Sequence, residues 1–538
     1  MTAVLVVAAA VAPVLVASGA VSSPGGHAGR TGAAGGNGSA GSAAGSTGTN
    51  GTSGAAGGSA PDPGPKVCGN SKLLGGPASA PAGAVTVPAG KDHAASLDTP
   101  NTTYWFAPGV HRLGGGKFAQ IVPGDGDTYV GAPGAVLDGG GVNLYAFTQH
   151  AERVTVEYLT IRNFGTKGGN ATQGVVNHTS ATGWVVTHDT VESNAGAGVM
   201  LGSDDSLTDN CLARNGQYGF SAYSTAGVVS NLTVTGNEIA GNATFNWDAV
   251  RPGCGCSGGA KFWRTDGAVV TDNYVHDNHK VGLWADTDNT GFDISHNYIA
   301  RNYAEGIIYE ISYNARIADN TLVDNGWRDG ANPTLGFPAP AIYVSESGGD
   351  VRVPGKYSGT FSITGNDFVD NWGGVVLWEN ANRFCGDGSD GPCTLVDPSR
   401  FDSKSCKAGL PGSKPGGTPD YFDGCRWLTQ HVTVDHNTFT FTPKAIGPNC
   451  TVQRNCGFTG LFSEYGSSAP YKAWVVPNDI SNHQHDVFSD NTYRGPWRFD
   501  GFALGTQLTW SQWTHGVSHI AGSGDPFTAQ DAGSSYRA

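Results

Sequence analysis

Residues 273–325 read "NYVHDNHKVGLWADTDNTGFDISHNYIARNYAEGIIYEISYNARIADNTLVDN", and one short motif occurs three times in this stretch. The motif is an Asn, any residue, an apolar residue, two further residues and a second Asn. It stands as "NYVHDN" at 273, "NYIARN" at 297 and "NTLVDN" at 320. Short β-like runs such as "FDISH" precede it, and others such as "VGLWAD" and "EGIIYE" follow it. The stretch is therefore built from repeats.

The same motif extends beyond this stretch in both directions. It recurs as "NCLARN" at 210, "NEIAGN" at 237 and "NDFVDN" at 366, with looser copies "YLTIRN" at 158 and "DTVESN" at 189. From 189 to 210, 273 to 297 and 297 to 320, where no insertion intervenes, the spacing is 21, 24 and 23 residues. A period this short, made of brief strands, leaves no room for ordinary helices and is typical of a solenoid.

The recurring Asn residues favour one kind of solenoid. Asn tolerates the left-handed backbone region at corners, and stacked amides can hydrogen-bond to the same corner one coil away. A leucine-rich repeat would need a Leu framework, and a β-propeller would need blades of about 40 residues with a Trp-Asp mark. We predict an all-β right-handed parallel β-helix, with the handedness taken from the general rule for parallel crossovers.

The composition divides the chain into three parts. Residues 1–20 are apolar and end in small residues, which indicates a signal peptide, although the missing basic start leaves a membrane anchor as the alternative. Residues 21–66 are rich in Gly, Ala and Ser and predict a disordered linker. Residues 67–538 then form the β-helix domain.

Longer gaps in the repeat predict loop insertions around residues 243–262, 326–360 and 380–430. Insertions in solenoids leave the stack as loops, tend to lie on one face and often form a binding surface. Residues 395–538 either continue the helix with heavy insertions or form a Trp-rich cap over its open end.

The net charge and the cysteine content limit which binding partners and which cellular compartment are expected. The formal net charge is −14 with 31 Lys and Arg, so nucleic acid is not an expected partner. Ten cysteines suit an oxidising compartment, so we expect a secreted or cell-surface monomer without a membrane span once the signal is removed. No cofactor or metal is expected, although Ca²⁺ stays open; "CGC" at 254–256 is a weak metal signal. Local disulfides are expected among Cys385, Cys393, Cys406, Cys425, Cys450 and Cys456.

Two acids occupy the same position on successive repeats. Asp286 lies 13 residues after Asn273, and Glu310 lies 13 residues after Asn297. Adjacent strands in such a stack are about 4.8 Å apart, so the two carboxyl groups should lie roughly 5 Å apart. Glu379, eight residues after Asn371, predicts a third acid in the same column beyond a coil that offers Ser345.

Strand alternation indicates which of these side chains face outward. In "VGLWAD" the apolar positions face the core, which turns Trp284 and Asp286 outward; the matching alternation turns Glu310 outward and Tyr309 inward. Carboxylates this close repel, so one holds its proton to higher pH, which suits a nucleophile beside a general acid. A separation of about 5 to 5.5 Å is that of a retaining glycosidase. The alternative is an acidic ladder that binds a cation or keeps the solenoid soluble.

Aromatic and basic residues near the two acids favour a sugar ligand, because aromatic faces stack on the C–H faces of sugar rings. The predicted substrate-binding residues are Lys261, Trp263, Trp284, Tyr309, Tyr343, Trp378 and Glu379. Arg264 is a further candidate for holding hydroxyl or carboxylate groups, and Asp248, Asp266 and Asp288 are supporting or Ca²⁺-binding candidates.

The block "CGCSGGAKFW", "VHDNHKVGLWADTDN" and "GIIYEISYNARIADN" resembles secreted right-handed β-helix proteins of the pectate-lyase-like superfamily over roughly residues 100–450. Within them, a Trp-x-Asp motif with a Glu one coil later is similar to the β-helical β-xylosidase family of glycoside hydrolases. That resemblance implies Asp286 as nucleophile and Glu310 as acid/base. "YEISYNA" departs from the Asn-His-Gly that follows the Glu in that family, so xylose is not implied.

Three hypotheses for function follow. The first is a retaining glycoside hydrolase on a polysaccharide or oligosaccharide, with Asp286 and Glu310 as the catalytic pair. The second is a polysaccharide lyase, whose basic machinery would come from Lys261, Arg264, His276, His279 and Tyr309. The third is a non-catalytic carbohydrate-binding or cell-surface protein.

Overall fold

The structure is a computed structural model that describes residues 66–91, 97–148, 150–166, 174–247, 257–332, 337–381, 428–467 and 472–538. The predicted signal peptide and all but the last residue of the predicted linker lie outside the described residues. So do Asp248, the "CGC" segment, Cys385, Cys393, Cys406 and Cys425.

All described strands belong to three long sheets, and the strands are numbered in chain order. The first sheet contains β1 (Val85–Val87), β3 (Thr103–Phe106), β5 (Thr128–Gly131), β7 (Thr155–Glu157), β10 (Val185–Thr187), β13 (Ser206–Thr208), β16 (Val229–Thr235), β19 (Thr265–Thr271), β22 (Thr290–Ser295), β25 (Tyr313–Ala318), β28 (Phe361–Thr364), β31 (Val432–Asp435) and β34 (Val487–Ser489). The second contains β2 (Gly90–Lys91), β4 (Gly109–Arg112), β6 (Ala135–Asp138), β8 (Thr160–Arg162), β11 (Thr190–Glu192), β14 (Cys211–Ala213), β17 (Glu238–Ala240), β20 (Tyr274–His276), β23 (Tyr298–Ala300), β26 (Thr321–Val323), β29 (Asp367–Val369), β32 (Thr438–Thr440), β35 (Thr492–Arg494) and β38 (Ser535–Arg537). The third contains β9 (Gly174–Val176), β12 (Ala197–Leu201), β15 (Phe220–Ala222), β18 (Gly258–Trp263), β21 (Val281–Asp286), β24 (Ile307–Glu310), β27 (Pro340–Ser345), β30 (Gly373–Glu379), β33 (Phe458–Ser463), β36 (Arg498–Ala503) and β37 (Gln507–Leu508).

The first three turns of the chain supply strands to the first two sheets only, and from β7 to β36 each turn supplies one strand to each sheet. The run β19, β20 and β21, for example, supplies the first, second and third sheets in turn, and the next three strands repeat this order. Neighbouring strands pair in parallel, except that β37 returns antiparallel to β36. The predicted right-handed parallel β-helix is confirmed.

Helices occur only between strands in the described part of the chain. They are α1 (Trp327–Gly330), α2 (Pro443–Ile446), α3 (Val475–Asn482) and α4 (Trp510–His515), with a 3₁₀ turn at Val452–Arg454. Helix α4 starts with a capping box between Thr509 and Gln512 and follows the last strand of the third sheet. Strands β31 to β36 show that the helix continues past residue 430, and α4 packs against its end. The C-terminal region thus continues the β-helix and also carries a Trp-containing helix at its end, so each of the two expectations is met in part.

The interior of the helix is a continuous apolar core. Tyr309 lies in it fully buried, with its ring edge-on to Phe292 at 5.8 Å and to Phe361 at 4.9 Å between centroids. The prediction that Tyr309 faces inward is confirmed. Its ring is therefore part of the packing and does not reach the outer face.

Two ladders of Asn side chains run along the corners of the helix, as the repeat predicted. In the first ladder, Asn297 Nδ2 donates to Asn320 Oδ1 at 3.0 Å, and Asn273 Nδ2 donates to Asn297 Oδ1 at 2.9 Å. The second ladder repeats this between Asn278 and Asn302 at 2.9 Å. Each amide also binds backbone groups of neighbouring coils, so the ladders satisfy corner groups that face no water.

One rung of the first ladder is an aspartate. Asp189 is fully buried; its Oδ1 accepts from the backbone N–H of Leu159, but its Oδ2 has no partner. At the next rung Asn210 Nδ2 donates to Val186 O, a bond that an ionised carboxylate cannot make. Burial raises the pKa of Asp189 well above its ordinary value. The protonated acid therefore serves as a substitute for Asn.

We expect Asp189→Asn to stabilise the protein at pH 7 by about 1 to 3 kcal/mol. The raised pKa means that the folded state retains a proton that the unfolded chain releases near its ordinary pKa of about 3.9. The carboxyl group consequently opposes folding more strongly as the pH rises. Guanidinium denaturation at pH 7 and at pH 4 measures the difference, which should shrink at the lower pH. An equal difference at both pH values would contradict this assignment.

The predicted loop insertions are too wide. Strand β18 lies inside the insertion expected at 243–262, and β27 lies inside the one expected at 326–360. Both strands resume the third sheet before the next Asn corner appears, so a search for Asn motifs does not detect them. Most of the insertion expected at 380–430 lies outside the described residues.

Two disulfides lie within the described residues. Cys450–Cys456 is one of the local pairings that the sequence allowed. Cys68–Cys211 joins the start of the domain to β14 in the second sheet. Beside it, Glu238 accepts hydrogen bonds of 2.8 Å from the backbone N–H groups of Val67 and Cys68. The first residues of the domain are therefore fixed to the side of the helix.

Candidate functional site

The outer face of the third sheet carries one row of side chains in register, which we call the site row. Trp263 pairs with Asp286, Asp286 with Glu310, Glu310 with Ser345, and Ser345 with Trp378. The predicted equivalence of Asp286 and Glu310 is confirmed, and strand spacing sets their backbones about 4.8 Å apart. Because the residues before them face the core, strand alternation directs both acids outward.

Asp286 is held by two neighbours. Lys261 Nζ lies 2.7 Å from Asp286 Oδ2, and the Thr287 hydroxyl donates to Asp286 Oδ1 at 2.8 Å. The same ammonium lies 4.0 Å from the centroid of the Trp284 ring, a cation–π contact. The Lys261 and Asp286 side chains are 13% and 15% exposed. The pair is thus largely sheltered from water but still accessible, and Lys261 offsets part of the charge that Asp286 places beside Glu310.

Glu310 is buried. A second acid near it, Glu305, was not predicted from the sequence and precedes the same strand. Glu305 lies just before β24 and is half-buried. Burial raises the pKa of Glu305 to about 8, and the charges of Asp329 and Glu310 add to the rise while Lys280 opposes it. Neutral pH therefore favours the protonated form of Glu305. No spacing rule pointed to it, because its equivalent one coil earlier is the apolar Val281.

The backbone turns sharply directly after four of the five strands of the site row, β18, β21, β24 and β27. Arg264, Thr287, Ile311 and Glu346 have φ values of 50°, 54°, 47° and 44°. For the β-branched Thr287 and Ile311 this left-handed conformation is uncommon and costs of order 1 kcal/mol or more. The hydrogen-bond ladder nevertheless continues through the turns, with Thr287 N–H donating to Glu310 O at 3.0 Å. The surrounding stack therefore holds the two acids on a strained, rigid edge.

The predicted position of Glu379 in the acid column is wrong. Ser345 pairs with Trp378, so Glu379 is displaced by one residue and is fully buried. Its Oε2 accepts hydrogen bonds from Thr429 N–H at 3.1 Å and Gln484 Nε2 at 2.6 Å. The connection from the Asn corner to β30 is one residue shorter than in the preceding coils. A slip of one residue moves a side chain to the opposite face of a strand.

Three of the predicted sugar-binding aromatics, Trp284, Tyr343 and Trp378, are buried in one apolar cluster, and Trp284 is only 6% exposed. Tyr343 and Trp378 are 6% and 2% exposed and form an apolar cluster with Phe337 and Phe462. The Phe337 ring centroid lies 5.5 Å from that of Tyr343 and 4.9 Å from that of Trp378. We call these four residues the aromatic block. In this structure neither Tyr343 nor Trp378 has a face on which a sugar could stack, and Tyr309 is in the core.

A different pair of rings lies on the other side of the acids. Trp263 is half-buried and stacks on Tyr223, with 5.1 Å between centroids. Tyr223 was not predicted, because it stands in "FSAYSTAG", which carries no Asn corner. The indole N–H groups of Trp263, Trp284 and Trp378 are buried without a hydrogen-bond partner. Unsatisfied buried donors are rare and each requires an explanation.

The remaining candidates spread over other parts of the molecule. Arg264 lies 3.6 Å from Asp288 at the turn beside the site row, and Asp266 pairs with Thr290 in the first sheet. His276 lies in the second sheet, with its ring nitrogens 3.1 Å from Glu238 and 2.6 Å from Asp277. His279 stacks on Tyr303 at 4.7 Å. The two histidines are therefore engaged away from the acid pair.

Metal-binding clusters and membrane-spanning helices are both absent from the described residues. They contain no group of three or more His, Cys, Asp or Glu side chains close enough to hold a metal ion. No helix among them has the length and apolar character needed to cross a membrane.

A cavity of about 740 Å³ lies apart from the site row and is lined partly by Arg112, Asp138 and Arg214. Its two arginines already face carboxylates, Arg112 towards Asp138 and Arg214 towards Glu192.

Comparison with known proteins agrees with the fold. Residues 173–355 match the family described as right handed beta helix region. No curated protein matches the sequence. Among solved structures, the catalytic unit of the thermostable GH87 alpha-1,3-glucanase from Streptomyces thermodiastaticus is 15% identical, with a TM-score of 0.46 over 85% of this chain and 70% of that chain.

Two other solved structures show likeness at the same level. A PL6 alginate lyase in complex with a trisaccharide is 11% identical, with a TM-score of 0.44 over 86% of this chain and 97% of that chain. The A-module of mannuronan C-5 epimerase AlgE4 from Azotobacter vinelandii is 14% identical, with a TM-score of 0.34 over 64% of this chain and 87% of that chain.

Proposed function

We propose that the protein is a secreted, carbohydrate-active enzyme, specifically a retaining glycoside hydrolase that acts on a polysaccharide or its oligosaccharides. The observation that carries the proposal is the pairing of Asp286 with Glu310 on adjacent strands of the outer face. Carboxyl groups one strand apart have the separation that a double displacement through a covalent intermediate requires. The exported location is supported by two disulfides in the described residues.

In the first step, a carboxylate oxygen of Asp286 attacks the anomeric carbon and the bond to the leaving oxygen breaks. Glu310 gives its proton to that oxygen, so the leaving sugar departs neutral. In the second step, Glu310 takes a proton from a water molecule, which attacks the anomeric carbon and releases Asp286. Two inversions give overall retention of configuration.

The contacts around the pair suit these roles. Lys261 and the Thr287 hydroxyl hold the two oxygens of Asp286, which restricts the carboxylate to one orientation. Glu310 is more deeply buried than Asp286, so less of its carboxyl group meets bulk water. Trp263, stacked on Tyr223, offers an aromatic surface one coil from Asp286.

The lyase hypothesis receives less support from the positions of its residues. A lyase needs a base near the proton it removes, and among the five candidates Tyr309 is in the core and His276 lies in the second sheet. Lys261 lies in the site but is paired with Asp286.

The product distinguishes the hypotheses. The full-length protein is incubated with a panel of soluble polysaccharides that includes xylan, arabinan, pectin, alginate and alpha-glucans, and the products are analysed by mass spectrometry and NMR. A new reducing end whose anomeric signal first appears with the substrate's configuration supports the proposal. A product with a carbon–carbon double bond identifies a lyase, and binding without turnover identifies a carbohydrate-binding protein. Either of these results overturns the proposal.

A further inference from the structure

The outer face of the third sheet differs on the two sides of the acid pair. Towards the C-terminal coils, the next positions of the site row are Ser345, Trp378 and Phe462, and none is more than 2% exposed. Towards the N-terminal coils, the next positions are Trp263 and Tyr223, both half-buried. A sugar chain lying along this row therefore meets accessible rings on one side and filled space on the other.

Phe337 packs over this filled side of the site row. Its ring is edge-on to Tyr343 and Trp378 and lies 6.4 Å from the ring of Phe462. Tyr343 occupies the outward row beside Ser345, directly past the strand that bears Glu310. The ring of Phe337 thus covers the surface where a chain continuing past Glu310 would lie.

The aromatic block contains a buried polar group that the fold leaves unsatisfied. The indole N–H of Trp378 has no partner beneath Phe337, and an unsatisfied buried donor is unfavourable. Pure packing would favour an apolar residue without that N–H group. The unsatisfied donor therefore marks Trp378 as a position that apolar packing alone does not explain.

We propose that Phe337 makes the site one-sided, so that the protein recognises the ends of polysaccharide chains and releases short products from them. This inference rests on the proposed hydrolase activity and deepens it by naming the chain end as the substrate. Phe337 is a specificity-determining residue in this scheme and takes no part in the chemistry. Removal of its ring should extend the site past Glu310 and permit cleavage within chains.

The first test compares the wild type with Phe337→Ala and Phe337→Leu on the polysaccharide that the panel identifies. Viscosity loss is plotted against new reducing ends. The wild type should release ends with little loss of viscosity, and Phe337→Ala should lose several-fold more viscosity for each end released. Phe337→Leu keeps an apolar side chain and should lie between them. Phe118→Ala, which removes a ring that is 64% exposed far from the site row, is the control and should match the wild type.

The second test measures binding and does not need turnover. Oligosaccharides of the same polysaccharide are capped with aminopyridine at the reducing end or blocked at the other end, and their binding to Asp286→Asn is measured by calorimetry. We expect one of the two caps to abolish binding. Internal cleavage by the wild type, or equal binding of both capped forms, would overturn the inference while leaving the hydrolase proposal intact. Absence of both turnover and binding overturns the hydrolase proposal and this inference with it.

Discussion

Asp286→Asn should reduce kcat/KM by about 10⁴-fold or more, and Glu310→Gln by about 10² to 10⁴-fold. Both substitutions preserve the shape of the side chain. The first removes the nucleophile, so no covalent intermediate forms with any substrate. The second removes the proton donor, so the loss depends on how much the leaving group needs a proton.

Aryl glycosides separate the two roles. Dinitrophenolate leaves without a proton, so Glu310→Gln should retain most of its first-step rate on dinitrophenyl glycosides, whereas Asp286→Asn should stay inactive. Added azide should restore turnover in both variants, but the two azide products should have opposite anomeric configurations. In Glu310→Gln it attacks the glycosyl–enzyme and gives a glycosyl azide of retained configuration. In Asp286→Asn it attacks the substrate and gives the inverted azide. NMR of the products measures both outcomes.

Asp288→Asn is the matched control. Asp288 lies two residues beyond Asp286, with its side chain 14% exposed and 3.6 Å from Arg264. It is outside the site row, so its loss should change kcat/KM by less than about tenfold. If Asp288→Asn were as damaging as Asp286→Asn, or if Glu310→Gln remained fully active on poor leaving groups, the assigned roles would be wrong.

The sequence was most informative where the repeat is uninterrupted. Between Asn273 and Asn320 each coil has nearly the same length, so counting from the Asn corners correctly places Asp286 opposite Glu310. The same counting fails for Glu379, because a coil that follows an insertion reaches the third sheet one residue earlier. The spacing of the Asn corners predicts the strand positions of the first two sheets well. It predicts those of the third sheet less well, because insertions of variable length precede its strands.

Exposure was harder to predict than register. Tyr343 and Trp378 do face outward, but Phe337, which lies far from Trp378 in sequence, covers them both. Periodicity identifies the face on which a side chain lies and gives no information about what an insertion places over it. Glu305 illustrates the same limit, since its pKa is raised by burial and by the charge of Asp329, neither of which the repeat spacing reveals.

The largest effect on stability should come from the Asn ladder. Asn297→Ala is expected to lower the free energy of unfolding by about 3 to 5 kcal/mol. The Asn297 amide donates to Val270 O at 2.8 Å, Ser295 O at 3.1 Å and Asn320 Oδ1 at 3.0 Å. Its Oδ1 accepts from both the backbone and the side-chain N–H groups of Asn273, at 3.0 Å and 2.9 Å.

Removal of the amide leaves its partners without a hydrogen bond. Water cannot replace the bond, because Asn273 and Asn320 are only 2% and 1% exposed. Each unsatisfied buried group costs about 1 to 3 kcal/mol, and relaxation of the coils recovers only part of the total. Asn478→Ala in α3 is the control, because its Oδ1 accepts one partly exposed hydrogen bond of 2.8 Å from Asn482. That variant should lose less than about 1 kcal/mol.

Asn297→Asp separates the ladder's hydrogen bonds from its packing. A carboxylate can still accept from Asn273 but cannot donate to Val270, Ser295 or Asn320, so this variant should be strongly destabilised at pH 7. Protonation restores one donor, and the deficit should therefore shrink as the pH falls towards 4, the same direction of pH dependence as for Asp189. Guanidinium denaturation followed by circular dichroism measures all three variants. A loss below about 1 kcal/mol for Asn297→Ala would mean that strand packing alone holds the coils together, and that the Asn periodicity reflects the conformational needs of the corners rather than the bonds between them.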